Sequence, residues 1–151
     1  RAGNKILFCG NGGSACDAMH IAGEFVGRFV KERKGLPAIA LSADSGILTA
    51  VGNDYGFEQI FARQVEALAR KGDIVIALST SGKSPNILTA LEAARNAACF
   101  TVLMTGEKGV AQKDKADLLL AVPHTETARI QEAHLLALHT LAGMAEQALI
   151  D

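Results

Sequence analysis

The chain has 151 residues, of which 49% are hydrophobic and 21% charged, the composition of one globular domain. Its 15 basic and 16 acidic residues give a net charge of −1, so the chain lacks the positive field with which proteins attract nucleic acid. The sequence has no secretory signal and no apolar run near the roughly 18 residues of a membrane span. We therefore expect a cytoplasmic protein that binds neither nucleic acid nor membrane. The three cysteines, Cys9, Cys16 and Cys99, lack CxxC spacing and are predicted to be buried free thiols.

The hydrophobic pattern predicts strands that alternate with helices along the whole chain. Strands are predicted at 5–9, 38–41, 74–78, 100–104 and 117–122. Helices are predicted at 14–33, 44–51, 57–70, 84–96 and 127–149, with a polar turn at 52–56 and an irregular crossover at 105–115. Because hairpin signals are missing, the strands should pair in parallel through right-handed crossovers. The sequence thus predicts a single α/β domain, a doubly wound five-stranded parallel sheet of flavodoxin-like order flanked by helices.

The stretch DIVIALSTSGKSPN, residues 73–86, joins a buried strand to a helix through a loop of hydroxyls. Free N–H groups and the positive end of a helix dipole point outward at such a junction, and Ser79, Thr80, Ser81 and Ser84 add hydroxyl donors. The loop therefore favours a phosphate, although ordinary helix caps remain an alternative. A nucleotide-binding P-loop is excluded, because its first glycine is replaced by Ala77.

A second loop of the same kind follows the first strand, with the sequence GNGGS at residues 10–14. It too can hold an anion, and a structural tight turn explains its glycines equally well. A dinucleotide-binding fingerprint is excluded, because Ala15 stands where GxGxxG requires a glycine.

His20 and Glu24 lie one turn apart on the first helix, where they can share a metal ion or divide acid and base work. A simple surface pair is the alternative. Arg28 extends this face by one more turn and offers an anion contact. The basic cluster KERK at 31–34 is interpreted as a solvated helix end.

Helical geometry limits which residues of the last helix can act together. At 100° per residue, Glu132 and His139 lie about 20° apart, whereas Gln131 and His139 differ by about 80° and by roughly 12 Å of rise. The geometry therefore favours Glu132 as the partner of His139. His134 is about 140° from His139, so one of the two histidines is predicted to be structural.

These segments together resemble the sugar isomerase (SIS) domain family, and most closely its phosphoheptose isomerases. The matching segments, which span most of the chain in family order, are CGNGGSACDAMHIAGEFVGRF from Cys9, PAIAL from Pro37, VGNDYGFEQIF from Val51, STSGKSPN from Ser79 and RIQEAHLLALH from Arg129.

The resemblance implies a site for each part of a sugar phosphate. It implies that Glu24 and His139 form the catalytic acid/base pair and that one zinc ion per subunit is held by His20, Glu24, Gln131 and His139. It prefers Gln131 where helix geometry prefers Glu132. The residues that it implies for the substrate are Ser79, Thr80, Ser81 and Ser84 for the phosphate, and Asn11, Gly12, Gly13, Ser14, Asn53 and Asp54 for the sugar.

The activity that the resemblance implies is isomerisation of sedoheptulose 7-phosphate to D-glycero-D-manno-heptose 7-phosphate, through an enediol, for lipopolysaccharide heptose synthesis. It also implies a homotetramer with sites between subunits, and a helical segment before the first strand that this sequence lacks. Two other interpretations stay open. SIS domains also serve as binding modules, for a replication initiator or for sensing sugar phosphates. Isomerisation of another sugar phosphate, such as a pentose phosphate, is the second alternative.

Overall fold

A five-stranded parallel sheet forms the centre of the computed structural model, which describes residues 2–150 and the side chains of 2–149. Its strands are β1 (Ile6–Gly10), β2 (Ala38–Ala40), β3 (Ile74–Ser79), β4 (Phe100–Gly106) and β5 (Leu118–Val122). They are ordered β2-β1-β3-β4-β5, with every neighbouring pair parallel. The predicted doubly wound sheet of flavodoxin-like order is confirmed.

Helices cover both faces of the sheet. They are α1 (Gly13–Val26), α2 (Ser45–Tyr55), α3 (Ala62–Leu68), α4 (Pro85–Asn96) and α5 (Thr127–Ile150), with 3₁₀ segments at Phe57–Gln59 and Glu107–Lys115. Alternate side chains of each strand point to opposite faces. Leu7 therefore lies in the core beneath α3 and α4, whereas Phe8 lies in the core beneath α1 and α5.

The order of the strands creates a crevice at the carboxyl end of the sheet. β1 and β3 are neighbours, with Gly10 paired to Leu78. The helices that follow them, α1 and α4, pack on opposite faces of the sheet. The two following loops therefore diverge at a topological switch point, the usual place for a ligand in doubly wound sheets.

A partly buried ion pair joins β1 to β3 at the opposite, amino end of the sheet. The Asp73 carboxylate accepts bonds from the Lys5 ammonium group, from the Lys5 amide at 2.9 Å and from the Arg70 amide at 2.8 Å. Burial alone would raise the pKa of Asp73, but these donors outweigh it and lower the pKa. The pair ties β1 to β3 far from the crevice.

Several predicted boundaries are wrong. The first helix ends at Val26 instead of 33, and an irregular segment, 27–37, leads into β2. The predicted turn at 52–56 is largely helical, because α2 continues to Tyr55 and ends only at Gly56, whose φ is +92°. The helix predicted at 57–70 is divided into a 3₁₀ turn and α3.

Two predictions about burial are also wrong. Cys9 and Cys99 are buried as expected, but Cys16 is exposed on α1. The cluster at 31–34 is not a solvated helix end, because the Arg33 side chain is only 5% exposed and pairs with Glu146. Among residues 2–150, none of the helices has the length and hydropathy needed to cross a membrane.

Candidate active site

A pocket of about 300 Å³ lies in the crevice at the switch point. It is lined by residues from both predicted anion-binding loops and from the start of α5, namely Asn11, Gly12, Gly13, Ser14, Leu78, Ser79, Thr80, Ser84, Thr127 and Gln131. Three helices begin here, since α1 begins at Gly13, α4 at Pro85 and α5 at Thr127. Helix N-termini attract anions through free N–H groups and the helix dipole.

Hydroxyl groups face one another in this pocket. Ser79 Oγ and Ser84 Oγ are 3.2 Å apart. Ser84 precedes the first turn of α4, yet its hydroxyl makes no cap bond to that helix. It is therefore free to bond a ligand instead of its own backbone. Together with the helix N-termini, these hydroxyls form a site suited to a phosphate group.

An amide pair connects the two loops. Asn11 Nδ2 donates to Asn86 Oδ1 at 2.9 Å, and Asn86 Nδ2 donates back to Asn11 Oδ1 at 2.8 Å. Asn86 is buried, so the pair holds the glycine loop after β1 against the first turn of α4. Gly12 has a φ of +54°, a conformation that favours glycine.

The structure places three predicted substrate-binding residues away from this pocket. Ser81 is exposed, and its Oγ accepts a bond from the Lys83 amide at 3.2 Å. Asn53 and Asp54 bond each other at 2.8 Å near the exposed end of α2. Neither lines the pocket around Asn11, so contacts of these residues with a sugar stay predictions.

A second group of polar residues lies where α1 packs against α5. One potential ligand atom from each of His20, Glu24 and His139 falls within 4.8 Å of the others. The Nε2 atoms of the two histidines are 2.8 Å apart, and His20 Nε2 is 3.5 Å from Glu24 Oε1. We call these three residues the His–Glu–His cluster.

The structure contradicts the pairing of Glu132 with His139. Glu132 is exposed and forms an ion pair with Arg129 at 2.8 Å. Gln131 lies in the phosphate pocket, where its Nε2 is 3.4 Å from Ser14 Oγ. The rise of roughly 12 Å along α5 separates it from His139 of the same chain. Gln131 as a metal ligand therefore stays a prediction.

Arg28 does not extend a helical face, because α1 has already ended. Its guanidinium is exposed and pairs with Glu32 at 3.6 Å. Of the residues predicted around the first helix, the structure thus brings His20 and Glu24 to His139 and leaves Arg28 at the surface.

Of the two histidines of α5, one of which was predicted to be structural, His134 is the one in the core. It is fully buried, and its Nε2 lies 3.1 Å from the Thr105 carbonyl oxygen. Its Nδ1 and Asp17 Oδ2 are buried without a hydrogen-bond partner among the described side chains and backbone. Burial lowers the pKa of His134 and raises the pKa of Asp17. Asp17 thus adds a partly buried carboxyl group beside the cluster on α1.

Comparison with known proteins places this geometry in a family. The SIS domain model matches residues 1–106. The chain belongs to the SIS domain family. The phosphoheptose isomerases of Trichlorobacter lovleyi and Roseiflexus sp. are each 56% identical to this SIS domain, over 99% and 100% of the chain and 76% and 77% of their own lengths.

Solved structures agree with the sequence comparison. The phosphoheptose isomerase of Francisella tularensis has a TM-score of 0.92 and 44% identity, covering 96% of this chain and 78% of its own. The enzyme of Neisseria gonorrhoeae has a TM-score of 0.88 and 44% identity, covering 95% and 77%. The family resemblance seen in the sequence is confirmed.

The His–Glu–His cluster of this SIS domain suits a metal ion. Two imidazole nitrogens and one carboxylate oxygen are a usual set of protein ligands for zinc. Two Nε2 atoms at 2.8 Å also require that at least one ring be neutral, which is the form of histidine that binds metals.

Sequence reasoning missed two side chains beside the cluster. The Phe29 ring stacks on His139, with centroids 5.4 Å apart and an interplanar angle of 16°. Asp17 was overlooked although it lies one turn before His20, on the helix face that carries the cluster. Phe29 gave no local signal, because its position depends on the irregular segment after α1.

The pocket geometry makes a prediction for Ser84. Replacing Ser84 with alanine removes one hydroxyl donor to a bound phosphate, so we expect the affinity for a sugar phosphate to fall about 10- to 100-fold, equivalent to about 1.5–3 kcal/mol for a hydrogen bond to a charged group. Isothermal titration calorimetry measures this change. Thr49→Ala is the control, because within the described part of the chain its exposed hydroxyl donates only to carbonyls of its own helix. Equal affinities of the two variants would contradict the assignment.

Proposed function

We propose that this SIS domain is a phosphoheptose isomerase, an aldose–ketose isomerase that converts sedoheptulose 7-phosphate to D-glycero-D-manno-heptose 7-phosphate in the cytoplasm, for lipopolysaccharide heptose synthesis. The observation that carries the proposal is the combination of a hydroxyl-lined pocket at three helix N-termini with the His–Glu–His cluster on α1 and α5. Relatives that are 56% identical over nearly the whole chain support the same activity.

The reaction requires two kinds of proton movement. A proton is transferred between C1 and C2, and another between their oxygens, through an enediol. In our proposal the Glu24 carboxylate removes the proton from C1 of the ketose and returns it to C2. His139, whose Nε2 is held near His20 and Glu24, moves the proton between the oxygens. The two groups must act on the same pair of substrate carbons, C1 and C2. The packing of α1 against α5 brings Glu24 and His139 close enough for this.

Zinc is the metal that we propose for the cluster, with one ion per subunit. His20, Glu24 and His139 would hold it, and it would polarise the substrate oxygens when bound. The fit rests on the donor set alone: nitrogen and oxygen ligands converge from two packed helices.

The phosphate provides binding energy remote from the reacting carbons. Donors from Ser79, Ser84 and the N-termini of α1 and α4 would hold it, which fixes the sugar against the base. Asn11 and the Gly12–Gly13 turn line the same pocket and would contact the adjoining hydroxyl groups of the sugar.

Distances along α1 support an active site between subunits. Ser14 lies in the pocket and Glu24 in the cluster, so the rise between them is about 15 Å. A phosphorylated seven-carbon chain, built from bonds of about 1.5 Å, reaches only ~10 Å from C1 to phosphorus. The interval along α1 is longer than this reach, which favours a site in which the phosphate pocket of one chain serves Glu24 of another. We propose a homotetramer in which the pocket of one subunit, including Gln131, faces the cluster of another.

Exposed apolar surface supports this assembly. A groove of about 280 Å³ runs over the sheet between β4, β5 and α5, and Phe100, Leu118 and Leu141 are among its residues. Nearby on α5, Leu136 is 69% exposed and Met144 is 64% exposed. Exposed apolar surface of this kind marks sites of protein association.

The proposal predicts a selective effect of Glu24→Gln. The amide cannot remove a proton from carbon, so kcat should fall by about 10²- to 10⁴-fold, while affinity for the sugar phosphate stays near the wild-type value. Turnover in deuterium oxide, followed by NMR, should show deuterium at C2 of the wild-type aldose product. Glu66→Gln is the matched control, because Glu66 lies on α3, is exposed and pairs with the exposed Arg63 of the same helix.

Two outcomes would contradict the assignment. If Glu24→Gln keeps the full wild-type turnover, Glu24 is not the base. If the wild-type protein binds the sugar phosphate but forms no product, the protein is a binding module, which is the alternative left open by the sequence.

The metal assignment predicts the zinc content of the purified protein. We expect about one zinc per chain, and a large loss in His20→Ala, because one ligand of three is removed. Elemental analysis measures both. His124→Ala is the control, since His124 is exposed in a loop and, among the described residues, its side chain makes one hydrogen bond, accepted by Nδ1 from the Glu126 amide. Equal zinc content in the two variants, or none in the wild type, would contradict the metal site.

A further inference from the structure

A buried carboxylate on α5 organises the irregular segment after α1. Glu146 is 1% exposed. Its Oε1 accepts bonds from the Phe29 amide at 2.8 Å and from Arg33 Nε at 3.0 Å, and its Oε2 accepts from the amides of Val30 and Lys31, each at 3.0 Å. Both oxygens are thus fully used.

The charge of Glu146 is maintained at every ordinary pH. Burial alone would raise its pKa, but the amides of Lys31, Val30 and Phe29 and the charge of Arg33 outweigh burial and lower the pKa to about 2. Hydrogen bonds of backbone amides to a charged acceptor are stronger than those to a neutral one. The segment is therefore held by a permanent anion.

Arg33 extends this connection to the end of α1. Its Nη2 donates to the carbonyl oxygen of Glu24 at 2.7 Å, and its Nη1 donates to that of Phe25 at 2.8 Å. Carbonyl groups in the last turn of a helix have no partner within the helix. Arg33 thus fixes the turn that carries the proposed catalytic base.

Phe29 completes the path to the other catalytic residue. Its amide is bound by Glu146, and its ring stacks on His139. The ring also lies beside Gly143 of α5, where a Cβ would be in ordinary van der Waals contact with it at 3.5 Å. Glu146 is therefore connected to Glu24 through Arg33 and to His139 through Phe29, but it is not one of the two acid/base residues.

From these contacts we infer that Glu146 is a positioning residue of the isomerase: through Arg33 it orients the turn of Glu24, and through Phe29 it fixes the ring of His139. The predicted effect on turnover rests on the proposed function, since it requires that the protein be an isomerase. A misplacement of catalytic groups by about 1 Å can cost 10²-fold in rate, so loss of this support should lower kcat and leave phosphate binding unchanged.

The first test compares Glu146→Gln with Asp73→Asn. Both substitutions neutralise a buried carboxylate that accepts several bonds, but Asp73 lies at the amino end of the sheet, far from the cluster. We expect kcat to fall about 10- to 100-fold in Glu146→Gln, with KM and the affinity for inorganic phosphate within about twofold of wild type. Asp73→Asn should lose stability but keep kcat. Equal losses of kcat in the two variants would overturn the inference.

The second test uses Phe29 and is independent of how well Glu146→Gln folds. In Phe29→Leu the His139 ring-proton resonances should lose the upfield shift that a stacked ring causes, and kcat should fall about tenfold. Phe29→Tyr keeps the ring and should restore both. An unchanged His139 resonance in Phe29→Leu would overturn the inference even if the protein were not an isomerase, whereas an inactive wild type with the expected shift would refute only the proposed function.

Discussion

The packing of α1 against α5 is the contact on which the site depends. The two helices run parallel on one face of the sheet, so residues at similar heights meet in order: Ser14 with Gln131 near the crevice, and His20 with His139 farther down. Side chains of Ile21, Phe25 and Leu138 bury the apolar part of this interface. The His–Glu–His cluster therefore lies on two packed helices, whose separation is set by the core.

In our proposal the same contact also separates phosphate binding from catalysis. The pocket lies at the N-termini of the helices, where their dipoles attract an anion, and the His–Glu–His cluster lies well below it. In our proposal the substrate is shorter than this interval and uses the pocket and the cluster of different chains. Assembly is then a requirement for turnover in our account, and the apolar groove beside β5 and α5 is consistent with surface that another subunit covers.

Much of this could be predicted from the sequence. Strands and helices alternate without hairpin signals, which determines a parallel sheet, and both ligand loops are recognisable because each links a buried strand to a helix. The end of α1 could not be predicted. The helical pattern continues through Arg33, but Glu146, far away in the chain, accepts the amides of residues 29–31 and stabilises a non-helical path. At these residues the long-range contact with Glu146 outweighs the local helix propensity.

Helix geometry alone missed the partner of His139 for a similar reason, whereas the family resemblance grouped His139 with His20 and Glu24. Angles around one helix pointed to Glu132, but that count ignores the neighbouring helix, and the true neighbours of His139 come from α1 and from Phe29. Glu132 instead forms an ion pair with Arg129 of its own helix. Geometry within a single element can exclude pairs of residues, as it did for His134 and His139, but it cannot choose a partner across an interface.

Subunit complementation tests the central claim most directly. The two variants are Ser79→Ala/Ser84→Ala, which lacks the phosphate-binding hydroxyls, and Glu24→Gln, which lacks the base. If pocket and cluster come from different chains, hybrid oligomers purified with two tags contain some intact sites, and their turnover should clearly exceed that of either parent. Hybrids no more active than the sum of their parents would contradict a site shared between subunits.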